Sequence, residues 1–204
     1  MKRLLVLFLW VAASASARAE TPLILVFGDS ISAGYGLAHV DQGWVALLQT
    51  RLRSQEYGYQ VVNASVSGET TAGGLARLPR ALNLHKPRIV ILELGGNDGL
   101  RALPIAQMRA NLAEMAGLAA GAGAKVLLLG MRIPPNYGAD YTEQFRQSYS
   151  DLARDKKLPL VPFLLNDIAL SPALMQADGV HPNELGQPKL LDNVWPSLKP
   201  LLQR

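Results

Sequence analysis

Leu23-Ile24-Leu25-Val26-Phe27-Gly28-Asp29-Ser30-Ile31-Ser32-Ala33-Gly34 begins as an unbroken apolar run and ends as a polar turn punctuated by glycine. A short run of this kind reads as a strand buried on both faces, which is the signature of a parallel sheet covered by helices. Four more segments, Gln60–Asn63, Arg88–Glu93, Lys125–Gly130 and Leu160–Phe163, carry the same pattern between Gly, Pro or Asn residues. The intervening stretches Gly43–Arg53, Thr71–Leu84, Pro104–Gly121, Tyr141–Lys156 and Asn183–Leu202 place apolar residues three and four apart, so each predicts a helix lying on a sheet face. The alternation predicts an α/β protein: a three-layer α/β/α sandwich around a five-stranded parallel sheet. No repeat or linker interrupts it, and Pro134-Pro135-Asn136-Tyr137-Gly138 reads as a loop.

The first residues have a different character. Met1-Lys2-Arg3 precedes an apolar run from Leu4 to Ala13, and small residues follow up to Ala17-Arg18-Ala19. This is the charged, apolar and A-x-A order of a secretory signal, so residues 1–19 are expected to be cleaved after Ala19, leaving one domain at 20–204. The apolar run is about half of the roughly 20 residues that a membrane span needs, so no stable anchor is expected. Export implies the periplasm in a Gram-negative cell and secretion in a cell without an outer membrane.

The chain of 204 residues carries a formal charge of +4, with 20 basic and 16 acidic residues. Loss of Lys2, Arg3 and Arg18 with the leader removes most of that excess. No basic cluster remains to bind nucleic acid, and Lys156-Lys157 reads as a solvated helix end. The absence of cysteine excludes disulfides, thiolate nucleophiles, thiolate metal sites and a lipid-bearing cysteine. Balanced charge without a coiled-coil repeat predicts a monomer.

In open parallel sheets ligands bind beyond the carboxyl ends of the strands, where loops and helix N-termini present unpaired N–H groups. Ser30 follows the first strand and begins a helical stretch, so it is either a helix N-cap or a nucleophile beside a positive helix end. Gly68, in Asn63-Ala64-Ser65-Val66-Ser67-Gly68-Glu69-Thr70, lets backbone approach a ligand and presents an open N–H. Asn63 is placed to brace that loop, while Ser65, Ser67 and Thr70 read as turn and cap residues. In Leu94-Gly95-Gly96-Asn97-Asp98-Gly99 the glycines clear the space before the Asn97 amide, with an Asn-Asp turn as the alternative. Asp98 reads as a turn or cap residue rather than a triad acid.

Ala177-Asp178-Gly179-Val180-His181-Pro182-Asn183 carries the most information. Pro182 biases His181 toward extended backbone, and Gly179 lets the chain bend so that Asp178 reaches the imidazole. Such a pair would take the proton from a serine. His39 and His85 read as loop histidines. The three histidines lack HxH or HExxH spacing, so neither a metal nor another cofactor is expected.

Gly28-Asp29-Ser30, Gly68, Gly95-Gly96-Asn97-Asp98 and Asp178-Gly179-Val180-His181-Pro182 together resemble the four blocks of the SGNH/GDSL hydrolases, over the whole chain after the leader. Gly28-Asp29-Ser30-Ile31-Ser32-Ala33-Gly34-Tyr35-Gly36 and Leu94-Gly95-Gly96-Asn97-Asp98-Gly99-Leu100-Arg101 are similar, more narrowly, to the exported multifunctional esterases of Gram-negative bacteria, known as acyl-CoA thioesterase I, arylesterase or lysophospholipase. The resemblance implies a flavodoxin-like fold, Ser30 as nucleophile, His181 as base and Asp178 as its orienter. It also implies an oxyanion hole of Ser30, Gly68 and Asn97. Ile31 stands where the family usually has Leu, a change that conserves volume. Pro188 and Pro196 are expected to kink the last helix.

The expected activity is metal-independent hydrolysis of fatty acyl or aryl esters, acyl thioesters and lysophospholipids, small acyl compounds being the only expected partners. A carbohydrate acetylesterase of the same superfamily is one alternative. An inactive exported acyl-binding protein, with a groove formed by Met131, Ile133, Pro134, Pro135 and Tyr137, is another. Dinucleotide, P-loop and GxSxG motifs are all missing.

Overall fold

The computed structural model describes residues 21–204, and the expected leader at 1–19 lies outside them. Five strands, β1 (Leu23–Gly28), β2 (Gln60–Asn63), β3 (Ile89–Glu93), β4 (Lys125–Leu129) and β5 (Leu160–Val161), form one sheet in the order β2-β1-β3-β4-β5. Every neighbouring pair is parallel, as the apolar runs predict. β1 and β3 lie at the centre, which explains their nearly continuous apolar sequence: Ile24 to Phe27 and Ile89 to Leu92 are all buried.

Among the described residues, seven α-helices connect and cover the strands: α1 (Ser30–Ala33), α2 (Trp44–Ser54), α3 (Thr71–His85), α4 (Gly96–Leu100), α5 (Ile105–Gly121), α6 (Ala139–Lys156) and α7 (Gln187–Leu198). α3, α5 and α6 pack side by side in one layer, and α2 and α7 form the other. The three-layer α/β/α expectation is therefore borne out. None of the described helices is long and apolar enough to cross a membrane.

Among the boundaries that differ from expectation, those of β5 and α7 have local reasons. β5 stops at Val161 because Pro162 has no N–H to extend the ladder. α7 begins at Gln187 rather than Asn183, because the Asn183 Oδ1 accepts the N–H groups of Leu185 (3.0 Å) and Gly186 (3.2 Å) and folds that segment into a turn. Pro188 consequently sits in the first turn of α7, where a missing N–H costs nothing, so it starts the helix instead of kinking it. Pro196 lies inside α7 near its end, and the chain tightens into a 3₁₀ turn at Lys199–Leu201.

Candidate active site

The chain leaves β1 for β2 on one side and later enters β3 on the other, so a crevice opens between the carboxyl ends of β1 and β3. Ser30 follows β1 and Asn97 follows β3, which places both at its rim. A second concavity, lined by Pro22, Tyr59, Arg88, Lys125 and Gln203, lies at the opposite ends of the strands. The chemistry-bearing groups are all at the first.

Asp29, not Ser30, caps α1: its Oδ1 accepts the Ile31 N–H at 3.1 Å. The Ser30 hydroxyl is thereby released from the capping alternative. Its Oγ lies 2.8 Å from His181 Nε2, and His181 Nδ1 lies 2.7 Å from Asp178 Oδ2. The other oxygen of Asp178 accepts the N–H groups of Val180 (2.9 Å) and His181 (3.0 Å). Partial burial opposes ionisation of Asp178, but the hydrogen bonds from the His181 ring and from these two N–H groups outweigh it and lower its pKa to about 2. An ionised Asp178 only accepts, so Nδ1 of the neutral ring carries the hydrogen and Nε2 offers its lone pair to the Ser30 hydroxyl.

The bend that joins Asp178 to His181 has the predicted origin. Gly179 adopts φ 66°, and its N–H reaches the Gln176 carbonyl at 3.0 Å. Met175 and Pro182 form an antiparallel bridge that closes the segment into a small clasp. Gln176 holds the clasp and its neighbour together: its N–H donates to the His181 carbonyl, and its Nε2 donates to the carbonyls of Tyr35 (2.8 Å) and Pro182 (3.1 Å). The loop carrying the histidine is thus tied to the loop that follows Ser30. Nothing in the local sequence pattern around Gln176 announces this link.

Gly68 stands at φ 78°, a conformation open to few other residues. Arg101 donates to the Gly68 carbonyl at 3.0 Å, while Arg77 binds Glu69 at 2.6 Å and the Ala64 carbonyl at 3.1 Å. These contacts hold the loop after β2 in place. Asn63 braces it as expected, donating to the Ser32 carbonyl at 2.7 Å and accepting the Ser65 N–H at 3.1 Å. Neither the Ser30 N–H nor the Gly68 N–H donates a hydrogen bond within the described residues. Asn97 Nδ2 gives one hydrogen to Asp29 Oδ2 at 3.1 Å and keeps its second. Asp98, by contrast, is buried and takes the Thr71 N–H (2.8 Å) and hydroxyl (2.5 Å), so it anchors α3 instead of orienting His181.

Two acids that pattern reading did not single out lie beneath Ser30. Glu93 is 0% exposed and Asp29 2%. Burial raises Asp29 to about 6 against the pull of the Ile31 N–H, His181 and Asn97, and burial followed by the nearby Asp29 raises Glu93 well above the carboxylate range. The readable signal for Glu93 was a lone acid at the end of an otherwise apolar buried strand.

Asp29 gives a testable dependence of stability on pH. Its folded pKa lies above the unfolded value of 3.8, so the native state binds its proton more tightly. The associated stabilisation is present below 3.8 and is lost as pH rises through about 6. Asp29→Asn is therefore expected to gain stability relative to wild type between pH 4 and neutral pH, by a differential of about 2 kcal/mol. Melting curves of both proteins across this range check it, and a gap independent of pH counts against a buried, titrating Asp29.

The loop expected to form an acyl groove packs differently. Met131 and Ile133 are buried, Met131 near Gly96 and Ile133 near Gly99 of α4, and the Tyr137 hydroxyl donates to the Leu100 carbonyl at 2.7 Å. Exposed apolar groups instead lie beside the hydrogen-bonded chain of Ser30, His181 and Asp178. Tyr35 places its ring 4.7 Å from that of His181, Val180 precedes His181, and the Val66 N–H bonds to the Gly28 carbonyl. His39 and His85 do not join the site, and the described residues contain no cluster of three or more potential metal ligands.

Similar proteins share this arrangement of the chain. Esterase TesA of Pseudomonas aeruginosa is 56% identical over 192 residues, covering 94% of each chain. The thioesterase 1/protease 1/lysophospholipase L1 of Escherichia coli is 43% identical, covering 96% of this chain and 91% of its own. The crystal structure of the psychrotrophic esterase EstA from Pseudoalteromonas, inhibited by monoethylphosphonate, superposes with a TM-score of 0.83 at 40% identity, over 87% of this chain and 97% of its own. Residues 26–188, which run from β1 through the His181 clasp into α7, match the GDSL-like Lipase/Acylhydrolase family, and the chain belongs to that family, the SGNH/GDSL hydrolases.

Proposed function

We propose that the protein hydrolyses fatty acyl and aryl esters, acyl thioesters and lysophospholipids through an acyl-enzyme on Ser30. The observation that carries this reading is the Ser30–His181–Asp178 relay, at 2.8 and 2.7 Å, beside backbone N–H groups with no partner among the described residues. His181 Nε2 takes the hydroxyl proton as Oγ attacks the acyl carbonyl carbon. Asp178 stabilises the resulting imidazolium. The oxyanion is held by the N–H groups of Ser30 and Gly68 and by the free hydrogen of Asn97 Nδ2. The C–O or C–S bond then breaks, and the leaving group receives the proton from His181. Water, deprotonated in turn by His181, releases the acid and restores Ser30.

Tyr35, Val66 and Val180 give the crevice an apolar rim suited to acyl or aryl chains, which favours these over acetylated sugars. The names of the relatives, an esterase and a thioesterase/lysophospholipase, point the same way. Cleavage after Ala19 and export to the periplasm of a monomer, with residues 20–204 as one domain, complete the proposal. An organophosphonate is expected to add one label per chain, on the peptide containing Ser30, and a parallel panel of p-nitrophenyl esters, acyl thioesters, lysophospholipids and acetylated sugars ranks the substrates. Absence of label, or label elsewhere, would leave an acyl-binding protein as the better reading.

A further inference from the structure

Glu93 closes β3 directly beneath the turn that carries Ser30. Its Oε2 accepts the Asp29 N–H at 3.2 Å and the Ser32 hydroxyl at 2.7 Å, so one oxygen grips the residues on both sides of Ser30. The contact is close enough that a β-carbon at Gly28 would collide with Oε2 and with the Glu93 carbonyl oxygen. This gives Gly28 a reason to lack a side chain that is separate from turn geometry. Oε1 is buried and has no partner among the described residues. No lysine, arginine or histidine pairs with Glu93 among the described residues.

We propose that Glu93 is a positioning residue for Ser30 that acts as a neutral carboxylic acid, fixing Asp29 and Ser32 through Oε2 without adding a second negative charge to that of Asp29 below the oxyanion. A buried carboxylate without a counter-ion takes up a proton rather than remain charged. Asp29, the ionisable group nearest to it, has better means of holding the negative charge: the Ile31 N–H, the Asn97 amide and the electrostatic pull of His181. Tyr149 of α6 and Asp98 of α4 are the other titratable groups near this acid pair, and neither supplies a cation. Neutrality also suits the reaction. An anion at Glu93 would oppose the charge that develops at the Ser30 N–H, whereas a neutral acceptor gives the same hydrogen bonds without that opposition.

This inference rests on Ser30 as the nucleophile, and its test separates the two. Glu93→Gln keeps an uncharged acceptor oxygen and is expected to retain kcat within about threefold of wild type, with an overlapping pH profile. Glu93→Ala releases both grips and is expected to lower kcat by about ten- to a hundredfold while leaving KM within about twofold, since displacing a nucleophile by about 1 Å costs that much. A Gln variant as impaired as the Ala variant, or one whose acidic limb shifts as if a negative charge had been removed near His181, overturns the proposal. Infrared spectra of Ser30→Ala and Ser30→Ala/Glu93→Gln, recorded well above the Asp29 value of about 6, read the proton without turnover. A carboxylic acid C=O band present in the first and missing from the second is expected, and its absence from the first also overturns the proposal. Should Glu93→Ala fail to fold, the Gln variant and the infrared band still decide. Failure of phosphonate to label wild type would strike the reading of Ser30 and leave the infrared result standing.

Discussion

Ser30→Ala is expected to lower kcat by about 10⁴-fold or more, with only a small change in melting temperature. The substitution removes Oγ, the atom 2.8 Å from His181 Nε2, and leaves the Asp29 cap and the backbone of α1 unchanged. His181→Ala is expected to cost nearly as much, because without the base the hydroxyl remains a weak nucleophile. The double variant should then be hardly worse than either single one, since the pair acts as a unit. Steady-state kinetics on an aryl ester, with mass spectrometry to exclude contaminating hydrolase, provides the measurement. If Ser30→Ala retains more than about one per cent of wild-type turnover, or if the two losses multiply, Ser30 and His181 do not share one reaction coordinate.

The parts of this site that could be read in advance are those that a short stretch of sequence encodes by itself. Gly179, two residues before His181, specifies a bend, and the structure has it, with Gly179 at φ 66°. The apolar runs of β1 and β3 fix the central strands, and the rule for parallel sheets then selects the edge where Ser30 and Asn97 sit. Features that depend on long-range packing were not visible. Asp29 and Glu93 are 64 residues apart in sequence, Gln176 and Tyr35 are 141 apart, and no local pattern connects either pair. The same limit explains the loop at 131–137. Its composition is apolar, but only the packing of α4 shows that Met131 and Ile133 serve the core rather than a groove. The start of α7 and the end of β5 depart from the expected ranges where Asn183 and Pro162 each act on the local backbone.

Asn97→Ala is expected to lower kcat by about a hundred- to a thousandfold, equivalent to about 3 to 4 kcal/mol, with little change in KM. The asymmetry follows from when the contact forms. The substrate carbonyl is a poor acceptor in the ground state, and the charge that Asn97 would meet develops only as Oγ bonds to the acyl carbon. Geometry gives this side chain its aim, because Asp29 Oδ2 takes one hydrogen of Nδ2 at 3.1 Å and so turns the other toward the crevice. Asp29→Asn should therefore reproduce much of the defect while Asn97 is still present. An amide at residue 29 that keeps its oxygen on the Ile31 N–H presents its own NH₂ to Asn97, and two donors cannot share that contact. The Asn97 amide is then expected to reverse and present oxygen to the crevice, where it would repel the oxyanion. The phosphonylation rate should fall in parallel in both variants, since the phosphonyl oxygen calls on the same donors. A rise in KM at unchanged kcat in Asn97→Ala would make Asn97 a ground-state contact and reduce the oxyanion hole to the Ser30 and Gly68 N–H groups. Full activity in Asp29→Asn, with Asn97→Ala impaired, would mean instead that packing around Asn97, and not Asp29, sets the direction of its amide.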